Sequence, residues 1–315
     1  MTSQQITYLV FGLVLILALV FDLGLLSKKN KTITIKQALH QTLFWVALAL
    51  GFFVFMWWQE GQKPALEYIS AYLMEWSLSI DNIFVFILIF NAFKVKPKFY
   101  GRVLLVGVLM AIVFRVIFIS VGVSLVEKFN WLLYAFGAFL LYTGFKMFTA
   151  NEEEEFAPEE SNIYKGIKRF LPLSTSDGDG KYVMLENGKR LYTTLFVVVL
   201  LLAGIDLVFA LDSIPAVMGI SRSKMVIYTS NIFAVLGLRS LFFLLRGAVN
   251  KFDYLQHGIA IVLVFIGVKM LTEHWINRWI EKNTQVFISL GVIMVCIFGS
   301  IFFSMFMNKQ KQLKK

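Results

Sequence analysis

Long apolar runs separated by short polar breaks fill almost the whole chain, and nine of them reach the length a helix needs to cross a bilayer core of about 30 Å. They cover residues 6–26, 38–58, 66–92, 101–125, 131–149, 193–218, 225–249, 255–272 and 285–307. The pattern predicts an all-α polytopic membrane protein with about nine transmembrane helices. Repeated runs of that length exclude a soluble domain with an unusually apolar core. The first run has no basic residues ahead of it and is too long for a cleaved signal peptide, so it reads as a retained helix. Residues 150–192 interrupt the pattern as a polar linker that opens on "NEEEEFAPEE" and closes on "KYVMLENGKRLYTT". In the second stretch, Asn187-Gly188 between β-prone residues predicts a short hairpin. The acidic run reads as a solvated segment. "DGDG", residues 177–180, lacks the later ligands of a calcium loop and reads as a turn.

Composition agrees: 58% of the 315 residues are hydrophobic and 16% are charged, with a mean hydropathy of +0.72. A formal charge of +10 would suggest nucleic acid as partner in a soluble chain, but here the positions of the charges decide. The loop after the first span, the loop after the third, the linker, the 246–251 turn and the C-terminal tail hold 20 of the 30 Lys and Arg. The intervening loops hold six, Lys63, Lys128, Arg222, Lys224, Arg278 and Lys282. By the positive-inside rule the N-terminus lies outside and the C-terminus in the cytoplasm. The expected partners are the lipid bilayer and an ion, with no nucleic acid. Cys296 is the only cysteine, which leaves no disulfide framework and no thiolate metal site.

Two spans carry acids in their middle. "EWSLSIDNIFVF" holds Glu75 and Asp81, and "DLVFALDSIPAV" holds Asp206 and Asp212, six apart in both. "FRVIF" with Arg115 then matches "LRSLF" with Arg239, and "GFKMF" with Lys146 matches "GVKML" with Lys269. The chain therefore reads as a duplicated three-helix unit. A unit with an odd number of spans repeated in tandem enters the membrane from opposite sides, giving an inverted repeat about an axis in the membrane plane. The expected layout is two N-terminal helices in 1–64, a first repeat in 65–149, a cytoplasmic acidic linker with a hairpin in 150–192 and a second repeat in 193–273. An interfacial segment, a last helix and a basic cytoplasmic tail occupy 274–315.

Counting from the cytoplasmic ends puts Glu75 at the depth of Asp212 and Asp81 at that of Asp206. The two carboxylate layers would be separated by about 9 Å, six residues at the helical rise. Ionisable groups inside spans need partners, and Arg115 and Arg239 are the expected ones. Ser79 and Asn82 lie on the Glu75 face of their helix. Pro215 frees the carbonyl of Leu211 and predicts a broken or kinked helix there. Carboxylates, the Asn82 amide and the Ser79 and Ser213 hydroxyls are hard oxygen donors suited to magnesium, calcium or manganese; the three histidines lie near span ends, so zinc and copper fit less well. Met74 and Met218 flank the acidic segments, where a thioether would favour manganese. No nucleotide-binding loop is present, so transport would draw on gradients or membrane potential, and buried carboxylates make proton antiport a natural coupling.

"EWSLSIDN" and "DLVFALDSIPA" resemble the two signature segments of the TerC family, named for tellurite resistance. The resemblance covers about residues 66–273, and the nine-span layout with its acidic linker is similar to the family's Alx-type bacterial members. It implies a bacterial inner-membrane protein that exports manganese from the cytoplasm, prevents overload and supplies metal to exported enzymes. It carries a metal-handling role to Glu75, Asp81, Asn82, Asp206, Asp212 and Ser213. Manganese(II) would be cargo, with no permanently bound cofactor. The alternative is a membrane scaffold, attached to secretion machinery or a stress complex, that uses the acids as helix glue. An intramembrane aspartyl protease would need two carboxylates sharing a proton and a "GxGD" motif on a span, which the sequence does not have, so no enzyme is expected.

Overall fold

A computed structural model describes residues 2–26, 33–129, 131–149, 162–174, 180–186, 189–246 and 255–313. The side chains of Asp81, Asp212 and some other helical residues lie outside that description, as do the acidic run and Asp177–Asp179. Helix α1 (Ser3–Leu26) precedes α2 (Ile35–Glu60). A capping box starts α2: the Thr34 hydroxyl accepts from the Gln37 amide, and the Gln37 side chain accepts from the Thr34 amide. The helix stops at Gly61, whose φ of +94° and ψ of 177° belong to a region that glycine alone enters without strain. The chain turns there and α3 (Gln62–Ala92) packs back against α2. A 3-10 turn, Pro97–Phe99, leads into α4 (Tyr100–Lys128), followed by α5 (Leu132–Thr149).

The linker contributes α6 (Asn162–Phe170) and the antiparallel pair β1 (Val183–Glu186) and β2 (Lys189–Tyr192), with Asn187 and Gly188 between the strands. It is seated on the helix ends. Tyr164 meets Phe93 at 5.5 Å between ring centroids, and Arg102 donates to the Gly180 carbonyl at 2.9 Å while lying over the Tyr182 ring. Gly180, with a φ of +90°, presses so close that a Cβ there would stand 2.6 Å from a Phe99 ring carbon.

The second half holds α7 (Thr194–Ile220), α8 (Lys224–Leu236), α9 (Leu238–Leu245) and α10 (Leu255–Trp279), and α11 (Lys282–Leu313) follows. Each predicted apolar stretch coincides with helix, but the seventh is broken: α8 and α9 bend by 41°. The break falls at Gly237, where α2 comes close enough to bring Trp45 within 3.6 Å of a built Cβ. By contrast, α7 runs through Pro215 as one helix. Among the described residues five helices, 3–21, 35–60, 97–128, 194–220 and 287–307, are long and apolar enough to cross a membrane, and the bent pair would make a sixth. The 31-residue α3 has the length, with its acids in the middle, whereas α5 and α10 contain shorter apolar stretches. This is an all-α polytopic membrane protein. Exposed apolar side chains such as Ile16, Val54, Ile117, Phe145, Val295 and Phe302 form the outer surface, which hydrocarbon can solvate.

Helices α3, α4, α7 and α8 make the centre. Helix α3 packs on α8 and α4 on α7, while α5 packs on α10 and α3 on α7. An axis exchanging α3 with α7, α4 with the α8–α9 pair, and α5 with α10 would carry these contacts onto one another. The close backbone contact between α5 and α10 follows the same exchange. A Cβ on Gly267 would meet the Gly137 carbonyl at 2.8 Å and the Leu141 amide at 3.0 Å; one on Gly144 would meet the Ala260 carbonyl at 3.0 Å and the Val264 amide at 3.1 Å. Small residues let two backbones touch where no hydrophobic effect drives helices together.

Candidate functional site

The site is built on the middle turns of the central helices. Glu75 lies 13 residues into α3, Asp206 12 into α7 and Arg115 15 into α4, each about 20 Å from its helix start at 1.5 Å per residue. All three are 1% exposed. The Arg115 guanidinium is shared. Its Nε donates to Asp206 Oδ2 at 2.8 Å and its Nη2 to Asp206 Oδ1 at 3.1 Å, a bidentate pair. Its Nη1 donates to Glu75 Oε2 at 2.7 Å and to Asn231 Oδ1 at 3.0 Å. Asn231, on α8 and fully buried, is itself anchored by donating from Nδ2 to the Ile227 carbonyl at 3.1 Å. One arginine thus ties four helices.

Both acids meet on one arginine. Residue counting places Glu75 and Asp206 in different layers and names Arg115 and Arg239 as the expected partners; Arg115 is the partner of both carboxylates. The guanidinium presents five donors in one plane, enough to serve both carboxylates and an amide at once. Two carboxylates and one guanidinium leave this group one negative charge in excess. Arg239, the counterpart of Arg115 in the repeat reading, is buried on α9.

Glu75 Oε1 and the hydroxyls of Ser77, Ser79 and Ser213 are buried without a hydrogen-bond partner among the described residues. Ser79 follows Glu75 by four residues and Ser213 follows Asp206 by seven, so each shares a helical face with its acid. Asn82 is buried on α3 but is not among the partners of Arg115. Asp81 and Asp212 lie within α3 and α7, their side chains outside the described residues. Among the described residues no three His, Cys, Asp or Glu stand close enough to hold a metal ion. The guanidinium occupies the place between the two acids.

Asn231 is the residue sequence reasoning missed. Its signal was the polar run Thr229-Ser230-Asn231 inside an apolar span. Eight residues before Arg115 stands Gly107 and eight before Arg239 stands Asn231, so the duplicated pattern hides the amide. Cavities lie along the same helices, among them two that bear on the site. One of about 10 Å³, room for a single water, touches Asp206, Gly107 and Leu202. The other, about 170 Å³, opens at the end away from the linker, with Lys63, Glu67, Met218, Ser221, Arg222 and Lys269 among its lining residues.

Fold and network together define a polytopic helical membrane protein with a buried charge cluster at mid-helix. The chain belongs to the TerC family of integral membrane proteins, whose pattern it matches over residues 60–312. It is 43% identical over 273 residues to an uncharacterized membrane protein of Myxococcus xanthus, covering 86% of this chain and 85% of that one. An uncharacterized membrane protein of Rickettsia bellii is 37% identical over 295 residues, 94% and 97% of the two chains. The Escherichia coli (strain K12) protein named "Putative membrane-bound redox modulator Alx" is 37% identical over 292 residues, 90% and 89% of the two chains. No solved structure matches.

Proposed function

We propose that this protein is a secondary transporter that exports manganese(II) from the bacterial cytoplasm across the inner membrane and so protects the cell from metal overload. The observation that carries the reading is a buried set of hard oxygens drawn from both halves of the chain. Glu75 and Ser79 come from α3, Asp206 and Ser213 from α7, and three of their oxygens have no hydrogen-bond partner among the described residues. Burying polar oxygen unsatisfied is costly, and a hard divalent cation is a ligand that would satisfy it. Asp81, Asn82 and Asp212 complete the metal-handling set in this reading. Manganese rather than magnesium or calcium rests on the family resemblance. The family membership supports an integral membrane protein, and in this reading the protein is a carrier and not an enzyme.

The two halves would rock about the acids in alternating access, with the N-terminus outside and the C-terminus cytoplasmic. The 170 Å³ cavity then opens outward and the linker covers the inner end. Exported metalloenzymes or secretion machinery would receive the metal. A second reading, a scaffold of a tellurite-resistance-type stress complex, draws support from the network itself, since Arg115 ties its own helix to three others as glue would. The redox role named for Alx finds little in this chain, whose one cysteine, Cys296, has no second thiol to pair with.

The two readings separate in cells lacking their own manganese exporter. Under manganese load the wild-type protein should lower the cytoplasmic metal content, and Glu75→Gln, made to the same level in the membrane, should not. Equal protection by both would remove Glu75 from the site, and no protection by the wild type would favour the scaffold.

A further inference from the structure

We infer that Arg115 is a tethered competitor of the transported metal: the guanidinium and manganese(II) take turns on the Glu75 and Asp206 carboxylates, and metal enters only as the arginine leaves. The inference rests on the manganese reading and assigns Arg115 and Asn231 their parts in it.

Three of the four oxygens on these acids are engaged by Arg115 at 2.7 to 3.1 Å, and the fourth, Glu75 Oε1, has no partner among the described residues. A hard divalent cation gathers about six oxygens. It cannot chelate Asp206 while a bidentate guanidinium sits across both oxygens of that carboxylate, and in a low-dielectric interior two cations on one acid pair repel strongly. A lysine or histidine could resolve the conflict by losing its proton. An arginine stays protonated, so it has to move.

The structure supplies a place to hold it. Arg115 already donates to Asn231 Oδ1 at 3.0 Å, and Asn231 is pinned to its own helix through the Ile227 carbonyl. That acceptor is neutral and fixed. When the acids close on metal, the guanidinium keeps this bond and loses the other three. The exchange also serves the empty carrier. With no cargo, two bare carboxylates at mid-membrane would oppose the return step, and the arginine neutralises one of their charges and bridges both. Asn231 is thus a positioning residue, and Arg115 acts by competing for ligands rather than by touching the metal.

The test is equilibrium binding of radioactive manganese(II) to purified protein in nanodiscs, paired with flux in proteoliposomes. Arg115→Gln should bind manganese about ten-fold tighter or more, as when a competent state populated one time in ten becomes the main one, while turnover falls because nothing displaces the ion. Asn231→Leu should bind about ten-fold weaker by the same arithmetic, because the arginine has nowhere else to go. Asn231→Leu decides the matter if Arg115→Gln does not fold. Wild-type binding that neither folded variant alters would overturn the exchange and leave Arg115 a static strut, with manganese transport intact. Failure of the wild type to bind manganese at all would instead overturn the transport reading, and this inference with it.

Discussion

Arg115 holds carboxylates from helices 131 residues apart in sequence, so each member of the network bears on the stability of the whole. Asp206→Asn replaces the bidentate carboxylate partner of a fully buried guanidinium by a neutral amide, with Glu75 still balancing the charge, and should cost about 1.5–3 kcal/mol, the scale of a buried hydrogen bond to a charged group. Ser213→Ala removes a hydroxyl that bonds to nothing described and should stay within about 0.5 kcal/mol of wild type. Thermal unfolding in detergent checks both, and equal midpoints for the two variants would mean that the network does not hold the helices. At this scale the acids and arginines were legible because a charge inside an apolar run stands out. Arg115 as a partner of these acids was legible too; that it would be shared by Glu75 and Asp206 was not. Counting along a helix fixes a residue's depth but says nothing of how far an arginine reaches sideways, and a neutral asparagine among serine and threonine carries no such signal.

Helices were the most legible elements, since an apolar run long enough to span a bilayer has few other folds available. The break at Gly237 was hidden because one glycine costs a helix only about 1 kcal/mol, and whether the helix yields depends on what packs there, here Trp45 of α2. The α5–α10 contact depends on glycine in the opposite sense. Gly267→Leu would drive a side chain into the Gly137 carbonyl and Leu141 and should destabilise the protein by about 1–3 kcal/mol through overpacking. Gly12→Leu on α1, where nothing lies within 4 Å, is the control and should leave the unfolding midpoint unchanged. Similar losses in both would contradict the close packing described for α5 and α10.

For the whole molecule, the distribution of Lys and Arg predicts opposite sides for the two ends. A fluorescent reporter that matures only in the cytoplasm should glow when fused after Lys315 and stay dark when fused before Met1; the reverse pattern would invert the proposed direction of export. The alternating basic loops carried that orientation in the sequence, and the duplicated acid and arginine pattern carried the proposed inverted halves. What the sequence could not carry was how the halves meet, because the shared guanidinium depends on tertiary packing that no spacing encodes. The central claim is that mid-membrane carboxylates from both halves pass manganese(II), and flux into proteoliposomes tests it most directly. Wild-type protein should move manganese in preference to calcium and magnesium, and Asp212→Asn and Asp206→Asn, reconstituted in the folded state, should each abolish the flux. Wild-type vesicles that move no manganese, with or without a pH gradient, would contradict the account.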